Sequence, residues 1–591
     1  MKKTVLTLSL AALGYMGAYA AYEEQVKVAK DEIFNGYVVK KIWLENYEIP
    51  QVTISGISYK DGVALPVEAL PSDPQRFDIV LGKERKRPFA LVRVPAFHAE
   101  GEKVQQLAAF TLQVTEKAVA RNNAAAKTTA DNSPLATGTW YKIAVSQTGL
   151  HKIDYNLINK LGAGGSISSA NIRLFGDGGN MLSEDNSVAR KSNLTENAIW
   201  VNDGGDGVFN EGDYVIFYAK GPTGWTADMT NKVFTHSKNL YEDKGYYFLN
   251  FDVAASKRVN AVESDANPNV TVTSYNDYAL YENDINSPLQ YGKTWWGEDF
   301  GTQGSKVNNR SFDIDLGSVA GDASFRTVMG CRSAGYSQFT IAHNGQTVGT
   351  YSLGPMSTDD YGSPMTTEDA KWNSSDISGN QNIKLTFQPG AGDGTGYLDF
   401  IEVNIRKSLA FGGNAINFRD INSVSASNIA SYQLANADGN TQVWDVTDPW
   451  EPVRINGTLN GSTYTFSRKA DVLHEFAAFK GADLPVPEAA GKVDNQNLHG
   501  EALTDYIIVT HPNFLPAAEE LANFHRQRSN MKVLVTTPQK IYNEFSSGRQ
   551  DISGIRDFVR MFYDRAGTDT AQMPKYLLLF GDASYDYKER V

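Results

Sequence analysis

Cysteine is almost absent from this sequence of 591 residues, which holds Cys331 and no second residue of that type. A disulfide framework within the chain is therefore excluded, and apolar cores, hydrogen bonds or bound metal ions must stabilise the domains. A nucleophilic cysteine would also need a histidine base supplied by the fold. Cys331 lies between Gly330 and Arg332 in a segment of β type, and we interpret it as a small buried apolar residue.

Long uncharged apolar runs are also missing. The run at residues 5–16 has about a dozen residues, whereas a helix that spans a bilayer needs roughly 20. This run follows Lys2 and Lys3 and precedes Ala18-Tyr19-Ala20, an arrangement typical of a secretory signal that is cut after Ala20. We therefore predict a signal peptide at residues 1–20, export of the rest of the chain, and no transmembrane segment.

Lys and Arg are fewer than Asp and Glu, 55 against 68, and the formal net charge is -13. Nucleic-acid surfaces depend on clustered Lys and Arg, and the one dense basic run, residues 83–87, is typical of a solvated hairpin edge. The sequence also lacks the G-x-S-x-G, H-E-x-x-H and P-loop motifs. These absences exclude nucleic acid as a partner and argue against several common hydrolase classes.

The first half of the chain is rich in strand signals. Residues 21–116 alternate short strands with Pro and Gly turns and predict an N-terminal β domain, and residues 117–138 predict a linker. Residues 139–482 are rich in Tyr, Phe, Trp, Gly and Asn, which favours a β-sandwich-like region of one or two subdomains with a break near residues 287–292. One helix is expected at residues 154–161, with Asp154 as its cap.

The pattern changes after a second predicted linker at residues 483–500. Residues 505–510, 532–536 and 575–580 are short apolar runs, and helical patterns separate them at residues 515–528, after Thr537, and from Asp551 to Gly567. Strands of this kind separated by helices predict a parallel sheet covered on both faces. Residues 501–591 are thus interpreted as the start of an α/β domain, which we expect to be incomplete because three strands leave an open edge.

Open parallel sheets bind ligands beyond the carboxyl ends of their strands. In this sequence those positions are held by His511, by Thr536 and Thr537, and by the segment with Asp582, Tyr585 and Asp586. For two of these residues a purely structural role is the alternative to a role in a site. His511, which precedes Pro512, can be a helix-entry residue. Asp582 can be a loop carboxylate that accepts backbone N–H groups.

A Gly-rich turn at residues 202–213 brings many side-chain oxygens together and resembles a calcium loop in part. The match to the EF-hand pattern is incomplete, because its third position is Gly204 and its last is an Asp. A solvated β-turn is the alternative. The candidate calcium ligands are Asn202, Asp203, Asp206, Asn210 and Asp213.

A series of motifs from residue 140 to the end resembles, in order, the gingipain-like sortases of the type IX secretion system of Bacteroidetes. The resemblance is weak before the linker at residues 117–138. The motifs are Trp140-Tyr-Lys-Ile-Ala-Val, Gly149-Leu-His-Lys-Ile, Asn171-Ile-Arg-Leu-Phe-Gly-Asp-Gly-Gly, residues 203–225, Asn239-Leu-Tyr with Tyr247-Phe-Leu, Trp295-Trp-Gly-Glu, Tyr397-Leu-Asp-Phe-Ile-Glu, Val443-Trp-Asp-Val-Thr-Asp-Pro, residues 505–510, and Tyr576-Leu-Leu-Leu-Phe-Gly-Asp-Ala-Ser-Tyr-Asp-Tyr.

This resemblance implies a gingipain/caspase-like α/β domain and a cysteine peptidase at the outer-membrane surface. Such an enzyme removes C-terminal sorting domains from exported cargo and passes the cargo to a lipopolysaccharide anchor through a thioester, with no required cofactor. The family's catalytic His and Cys follow the Gly-Asp strand end, so we expect them downstream of Val591, and the chain to be an inactive N-terminal part. The missing C-terminal domain implies the outer-membrane protein PorV as a partner, and Gly581, Asp582 and Asp586 are placed near the active-site rim.

Two other interpretations stay open. The aromatic β domains also fit a non-catalytic exported surface protein that acts in binding or assembly. A secreted gingipain-like protease that is not the sortase would share the fold and differ in substrate.

Overall fold

A computed structural model describes residues 19–590 of this protein, except residues 30–31, 45–46, 62–72, 85–86, 101–102, 118–131, 254–255, 318, 358, 360–361, 376, 378 and 391. The predicted signal peptide lies outside the described residues apart from Tyr19 and Ala20, and most of the predicted linker at 117–138 lies outside them as well. None of the described helices combines the length and the apolar composition needed to cross a bilayer.

The chain divides into two compact units, one with residues 1–127 and 564–573 and the other with residues 128–563 and 574–591. In the first unit, two four-stranded sheets have the orders β1–β8–β4, with β7 also on β8, and β2–β3–β6–β5. Along β6, Ala90, Val92 and Val94 are buried between more exposed neighbours, as expected for a strand with one face in a core. The strands are β1 (Tyr19–Lys27), β2 (Ile33–Phe34), β3 (Tyr37–Trp43), β4 (Gln51–Lys60), β5 (Asp78–Glu84), β6 (Arg87–Pro95), β7 (Phe97–Glu100) and β8 (Lys103–Lys117).

The predicted β domain is thus present. Of the basic run, Lys83 and Arg87 lie on the paired strands β5 and β6, opposite Pro88 and Glu84, and residues 85–86 lie outside the described residues.

The second unit begins with a first β module, whose core lies between a sheet containing β12, β19 and β9 and a smaller sheet of β10, β16 and β14. The predicted helix is confirmed as α1, where the Asp154 carboxylate accepts the N–H of Leu157 at 2.9 Å. The elements are β9 (Trp140–Val145), β10 (Gly149–Asp154), α1 (Tyr155–Lys160), β11 (Ile167–Ser168), β12 (Arg173–Gly178), β13 (Glu196–Asn197), β14 (Trp200–Asn202), β15 (Val208–Phe209), β16 (Tyr214–Ala219), β17 (Thr223–Asp228), β18 (Val233–Lys238) and β19 (Gly245–Asn250).

A second β module is built from two distant parts of the chain. Its sheets have the orders β20–β34–β33–β37–β31 and β21–β32–β36–β35, and both β20 and β21 pair in parallel with strands far downstream. Its strands are β20 (Asn260–Glu263), β21 (Val270–Val272), β31 (Ala415–Phe418), β32 (Ile429–Leu434), β33 (Thr441–Asp445), β34 (Val453–Asn456), β35 (Thr458–Asn460), β36 (Thr463–Lys469) and β37 (Phe476–Lys480).

An inserted module lies between β21 and β31. It is a sandwich of two antiparallel sheets, β22–β30–β25–β28 and β24–β29–β26–β27, around a core rich in Phe and Ile. Its strands are β22 (Ser274–Glu282), β23 (Asp299–Phe300), β24 (Asn309–Asp315), β25 (Val319–Arg332), β26 (Ser337–His343), β27 (Gln346–Leu353), β28 (Thr366–Ser374), β29 (Asn380–Gln388) and β30 (Thr395–Ser408).

Two boundaries expected from the sequence need correction. Residues 287–292 do not separate subdomains, because they lie in the loop between β22 and β23 of the inserted module. The turn residues there mark a long loop, whereas the actual entry to this module, between Val272 and Ser274, carries no local signal. Residues 483–500 are likewise more than a linker, since they contain β38 (Glu488–Val493), which pairs antiparallel with β9.

The α/β segment is confirmed as a three-stranded parallel sheet in the order β40–β39–β41. Helix α2 packs on one face and helices α3 and α4 pack on the other. On the edge strand β41, residues Tyr576, Leu577 and Leu579 are 56%, 46% and 61% exposed, so this apolar strand is not covered by other described residues. The elements are β39 (Tyr506–Thr510), α2 (Leu515–Arg528), β40 (Val533–Thr536), α3 (Pro538–Phe545), α4 (Ile552–Arg565) and β41 (Tyr576–Phe580).

The hairpin β17–β18 of the first module docks on the inserted module through His236. Its Nδ1 lies 2.7 Å from Glu402 and its Nε2 lies 3.4 Å from Glu282. Burial alone would lower the pKa of His236, but the hydrogen bonds and charges of these two carboxylates outweigh it and raise the pKa to about 9. The protonated ring therefore joins the two modules at neutral pH.

We predict that this contact weakens in alkaline solution. Because the pKa of His236 is raised on folding, its contribution is complete below about pH 6.5, falls as the pH rises through about 9, and amounts to up to roughly 3 kcal/mol. Thermal denaturation between pH 6.5 and 9.5 should show a loss of stability that is smaller in His236→Gln. Equal pH slopes for the two proteins would contradict the assignment.

Candidate functional site

The carboxyl ends of the three parallel strands form the edge at which an α/β sheet presents its working residues. The ends of β39 and β41 are joined by a hydrogen bond in which the Thr510 hydroxyl donates to the Phe580 carbonyl at 3.0 Å. The ring of Phe514 lies between the two ends, with its centroid 6.0 Å from that of His511 and 6.3 Å from that of Phe580. The structure therefore brings His511 and the end of β41 to one place.

The side chain of His511 stabilises the backbone turn that follows it. Its Nδ1 accepts the N–H of Asn513 at 3.2 Å and caps a 3₁₀ turn at Pro512–Phe514 that leads into α2. This confirms the helix-entry interpretation. At the end of β40, Thr537 takes the N-cap position of α3 ahead of Pro538, although its side chain makes no capping hydrogen bond.

The loop after β41 starts with an exposed turn. Gly581 has a φ of +152° and Asp582 is exposed, with its carboxylate accepting the N–H of Ala583 at 2.8 Å. Asp582 is thus a loop carboxylate that accepts a backbone N–H, which is the structural role considered for it from the sequence. Asp586 is buried, 8% exposed, and lies further along the same segment.

Residues 585–590 are anchored on the β modules. The Tyr587 ring lies 4.9 Å from that of Tyr241, and the absence of a side chain at Gly292 makes room for the Tyr587 hydroxyl. Lys588 donates to the Asn239 carbonyl at 2.6 Å, and Arg590 pairs with Asp284 at 2.9 Å. The strand-end loop is therefore fixed at its far end by modules that are distant in sequence.

The connection between α3 and α4 docks on the first module. Ser547 has a left-handed backbone, with a φ of +52°, and its hydroxyl accepts the Asp177 N–H at 3.0 Å. Arg549 is 1% exposed and its Nη1 lies 2.5 Å from the Asp177 carboxylate. Asp551, predicted as a helix cap, accepts the N–H of Ser553 and also that of Leu182 in the first module, each at 2.8 Å.

A second buried contact holds α3. Glu544 is 2% exposed, and His499 donates to it from Nδ1 at 2.6 Å while its Nε2 lies 2.7 Å from the Ser192 carbonyl. Both ring nitrogens thus lie within hydrogen-bond distance of an oxygen atom. Burial alone would raise the pKa of Glu544, but hydrogen bonds from His499, Gln496 and the Leu498 N–H outweigh it and hold that pKa below its ordinary value.

We predict that Glu544→Ala loosens the α/β segment. The substitution leaves the buried His499 ring without its carboxylate, which typically costs about 3–5 kcal/mol. Urea denaturation followed by hydrogen exchange of the α3 amides should show the loss, while Glu520→Ala, at an exposed position of α2, should behave as wild type. A loss below about 1 kcal/mol in Glu544→Ala would contradict this role.

Cys331 does not belong to this site. Its side chain is fully buried in the core of the inserted module, and burial raises the pKa of its thiol, an effect that a hydrogen bond with Ser337 offsets only in part. A thiol held in its neutral form inside a core is a poor nucleophile. The interpretation of Cys331 as a buried apolar residue is confirmed.

The proposed calcium ligands lie in the loop around β15, where their carboxylates accept hydrogen bonds from backbone N–H groups. Asp203 accepts the N–H of Gly205 at 3.0 Å, Asp206 that of Val208 at 2.8 Å, and Asp213 that of Asn210 at 2.7 Å, while the Asn202 amide donates to Tyr214 at 2.9 Å. In the part of the chain that the structure describes, no three His, Cys, Asp or Glu side chains are arranged to hold a metal. The geometry fits the β-turn alternative, and calcium binding stays a prediction.

The turn geometry predicts that Asp206→Ala lowers the thermal midpoint by the same amount in calcium and in chelator. The loss should correspond to about 1 kcal/mol, since one side-chain cap of a backbone N–H disappears. A midpoint that rises with calcium in the wild type and no longer does so in Asp206→Ala would instead establish a calcium site.

Comparison with known proteins finds a similarity for the α/β segment. Residues 500–591 match the family model of Peptidase family C25. A crystal structure of dimeric latent PorU from Porphyromonas gingivalis is similar in fold, with a TM-score of 0.68 and 25% sequence identity over 78% of this chain and 43% of that one. The chain therefore spans less than half the length of that PorU structure.

Other similarities are confined to one part of the chain. A CBM36 carbohydrate-binding module in complex with calcium and xylotriose covers 22% of this chain with 99% of its own length, at 19% identity and a TM-score of 0.15. A family 35 module from Clostridium thermocellum covers 23% with 98% of its own length, at 16% identity and a TM-score of 0.14. Scores this low carry no functional argument. No curated protein matches the sequence.

Sequence reasoning placed the strand ends correctly and missed the residues that fix them. The partners His499 and Glu544 lie 45 positions apart, and Arg549 and Asp177 lie 372 apart. A histidine inside a predicted linker, or a Ser-Gly-Arg sequence between two helices, gives no sign of such partners.

Proposed function

We propose, from the match of residues 500–591 to the model of Peptidase family C25, that this chain is the N-terminal part of a gingipain-type cysteine endopeptidase that acts as the sortase of a type IX secretion system. The complete protein would cut C-terminal sorting domains from exported cargo at the outer-membrane surface, with PorV as a docking partner. The observation that carries the proposal is the presence of a C25 segment behind β modules that share the fold of PorU in the same chain.

The extent of the similarity favours the sortase over a secreted gingipain. The family model covers residues 500–591 alone, whereas the similarity to PorU extends over 78% of the chain and must therefore include β modules. A protease that shared only its catalytic domain with PorU would not require these modules.

In this proposal the described residues support the active site and do not supply its catalytic groups. A cysteine peptidase needs a thiolate, a histidine that moves the proton and donors for the oxyanion, and the described chain offers a single buried thiol that cannot reach substrate. We place the catalytic His and Cys downstream of Val591, beside the loop at Gly581 and Asp582. The uncovered side chains of β41 support this placement, because further strands would bury them.

The proposal predicts different behaviour for two proteins. A chain of residues 21–591 should neither cleave a cargo protein with its C-terminal sorting domain nor react with thiol-directed protease inhibitors. A longer protein that includes the sequence after Val591 should do both. Deletion of the gene should leave cargo with uncut C-terminal domains in the cells that make it.

Cys331→Ala is the control for unspecific labelling, and it should leave the activity of the longer protein unchanged. Labelling of Cys331 that requires the folded 21–591 chain would contradict the proposal. Normal cargo processing in the deletion strain would remove the sortase assignment and leave the non-sortase protease.

A further inference from the structure

A cavity of about 490 Å³ lies where the first, second and inserted modules meet. Its mouth is formed by the exposed residues Ser146, Gln147 and Asn180, and its floor by Tyr218, Tyr275 and Arg419, which are buried. Junctions between modules are common places for ligand sites, and this volume suits a ligand of monosaccharide to disaccharide size.

Arg419 at the floor has unused hydrogen-bond donors. The residue is 5% exposed. Neither Nε nor Nη1 of its side chain has a hydrogen-bond partner among the described residues. The nearest carboxylate oxygen, that of Asp277, lies 3.7 Å from Nη1, which is too far for a hydrogen bond. A buried guanidinium in this state is costly unless an acceptor enters the cavity.

Three cationic and two anionic side chains lie at or beside the cavity. Asp277 pairs with Lys407 at 2.9 Å and has Arg419 at 3.7 Å, and Glu475 pairs with Lys220 at 3.2 Å. The two carboxylates are thus shared among three cations, which leaves a surplus of one positive charge. A surplus of a single charge suits a monoanion such as a carboxylate better than a doubly charged phosphate.

The walls suit a polar ligand body with an apolar face. Trp225 stacks on Tyr278 with centroids 3.6 Å apart, and Arg419 lies over the same Tyr278 ring at 4.7 Å. Gln147, Asn180 and Asn417 add amides that both donate and accept hydrogen bonds. Hydroxyl groups of a ligand could be satisfied at these positions.

We propose that this cavity binds a small carboxylated sugar, with the carboxylate on Arg419, the hydroxyl groups on the amides at the mouth and the ring beside Trp225. The site lies apart from the strand-end loop and does not depend on the peptidase assignment. It gives the β modules a ligand-binding role of their own.

Isothermal titration calorimetry of the whole chain with D-glucuronate and D-galacturonate tests the proposal. At least one of the two should bind saturably, whereas D-glucose, which lacks the carboxylate, should bind at least about 10-fold more weakly. Inorganic phosphate and glutamate are the comparison anions. Tighter binding of either of them would overturn the assignment to a carboxylated sugar.

Two variants connect binding with the cavity. Arg419→Gln should weaken binding by at least about 10-fold, and because this change can also affect folding, Gln147→Glu at the exposed mouth provides a second test by repelling the anion. Gln346→Glu makes the same change at an exposed position of β27 away from the cavity, and it should bind as wild type. Absence of binding by both sugar acids, or equal binding in all folded variants, would overturn the proposal.

Discussion

Strand β38 brings the chain back from the second module to the first, because it adds to the edge of the sheet beside β9, with Val493 opposite Trp140. From that point the α/β segment can only start next to the first module. The Asn497 side chain then accepts the N–H of Ser133 at 2.8 Å. His499 follows directly and contacts Glu544, which lies 45 positions further along the chain. The position of the parallel sheet thus depends on one antiparallel pairing that closes a loop of more than 300 residues.

Buried charge specifies how the α/β segment lies on the β modules. An apolar interface would tolerate small shifts, whereas Arg549 on Asp177 and Glu544 under His499 are satisfied only in one arrangement, and a shift would leave a charge buried without a partner. The anchoring of Lys588 and Arg590 adds a third fixed point just after the strand-end loop. A loop fixed at both ends on rigid elements is a suitable support for precise chemistry.

The inserted module has a different relation to its neighbours. It is a complete sandwich with its own core, and it meets the first module through His236 and through the walls of the Arg419 cavity. Both contacts depend on charged groups with little exposure to solvent. The β modules therefore do more than carry the α/β segment, since their junctions contain buried charged groups.

The sequence by itself determined the local elements: α1 with its Asp154 cap, α2 over its full length, and three parallel strands whose apolar runs can only be buried by helices on both faces. It also determined that Cys331 is buried and that His511 starts a helix. The tertiary structure alone decided that β20 and β21 join strands far downstream, that β38 belongs to the first sheet, and that Arg419 meets Asp277 across a cavity. The physical reason is that helix caps and strand periodicity act over a few residues, whereas pairings across hundreds of residues are chosen by burial and charge that only the folded chain brings together.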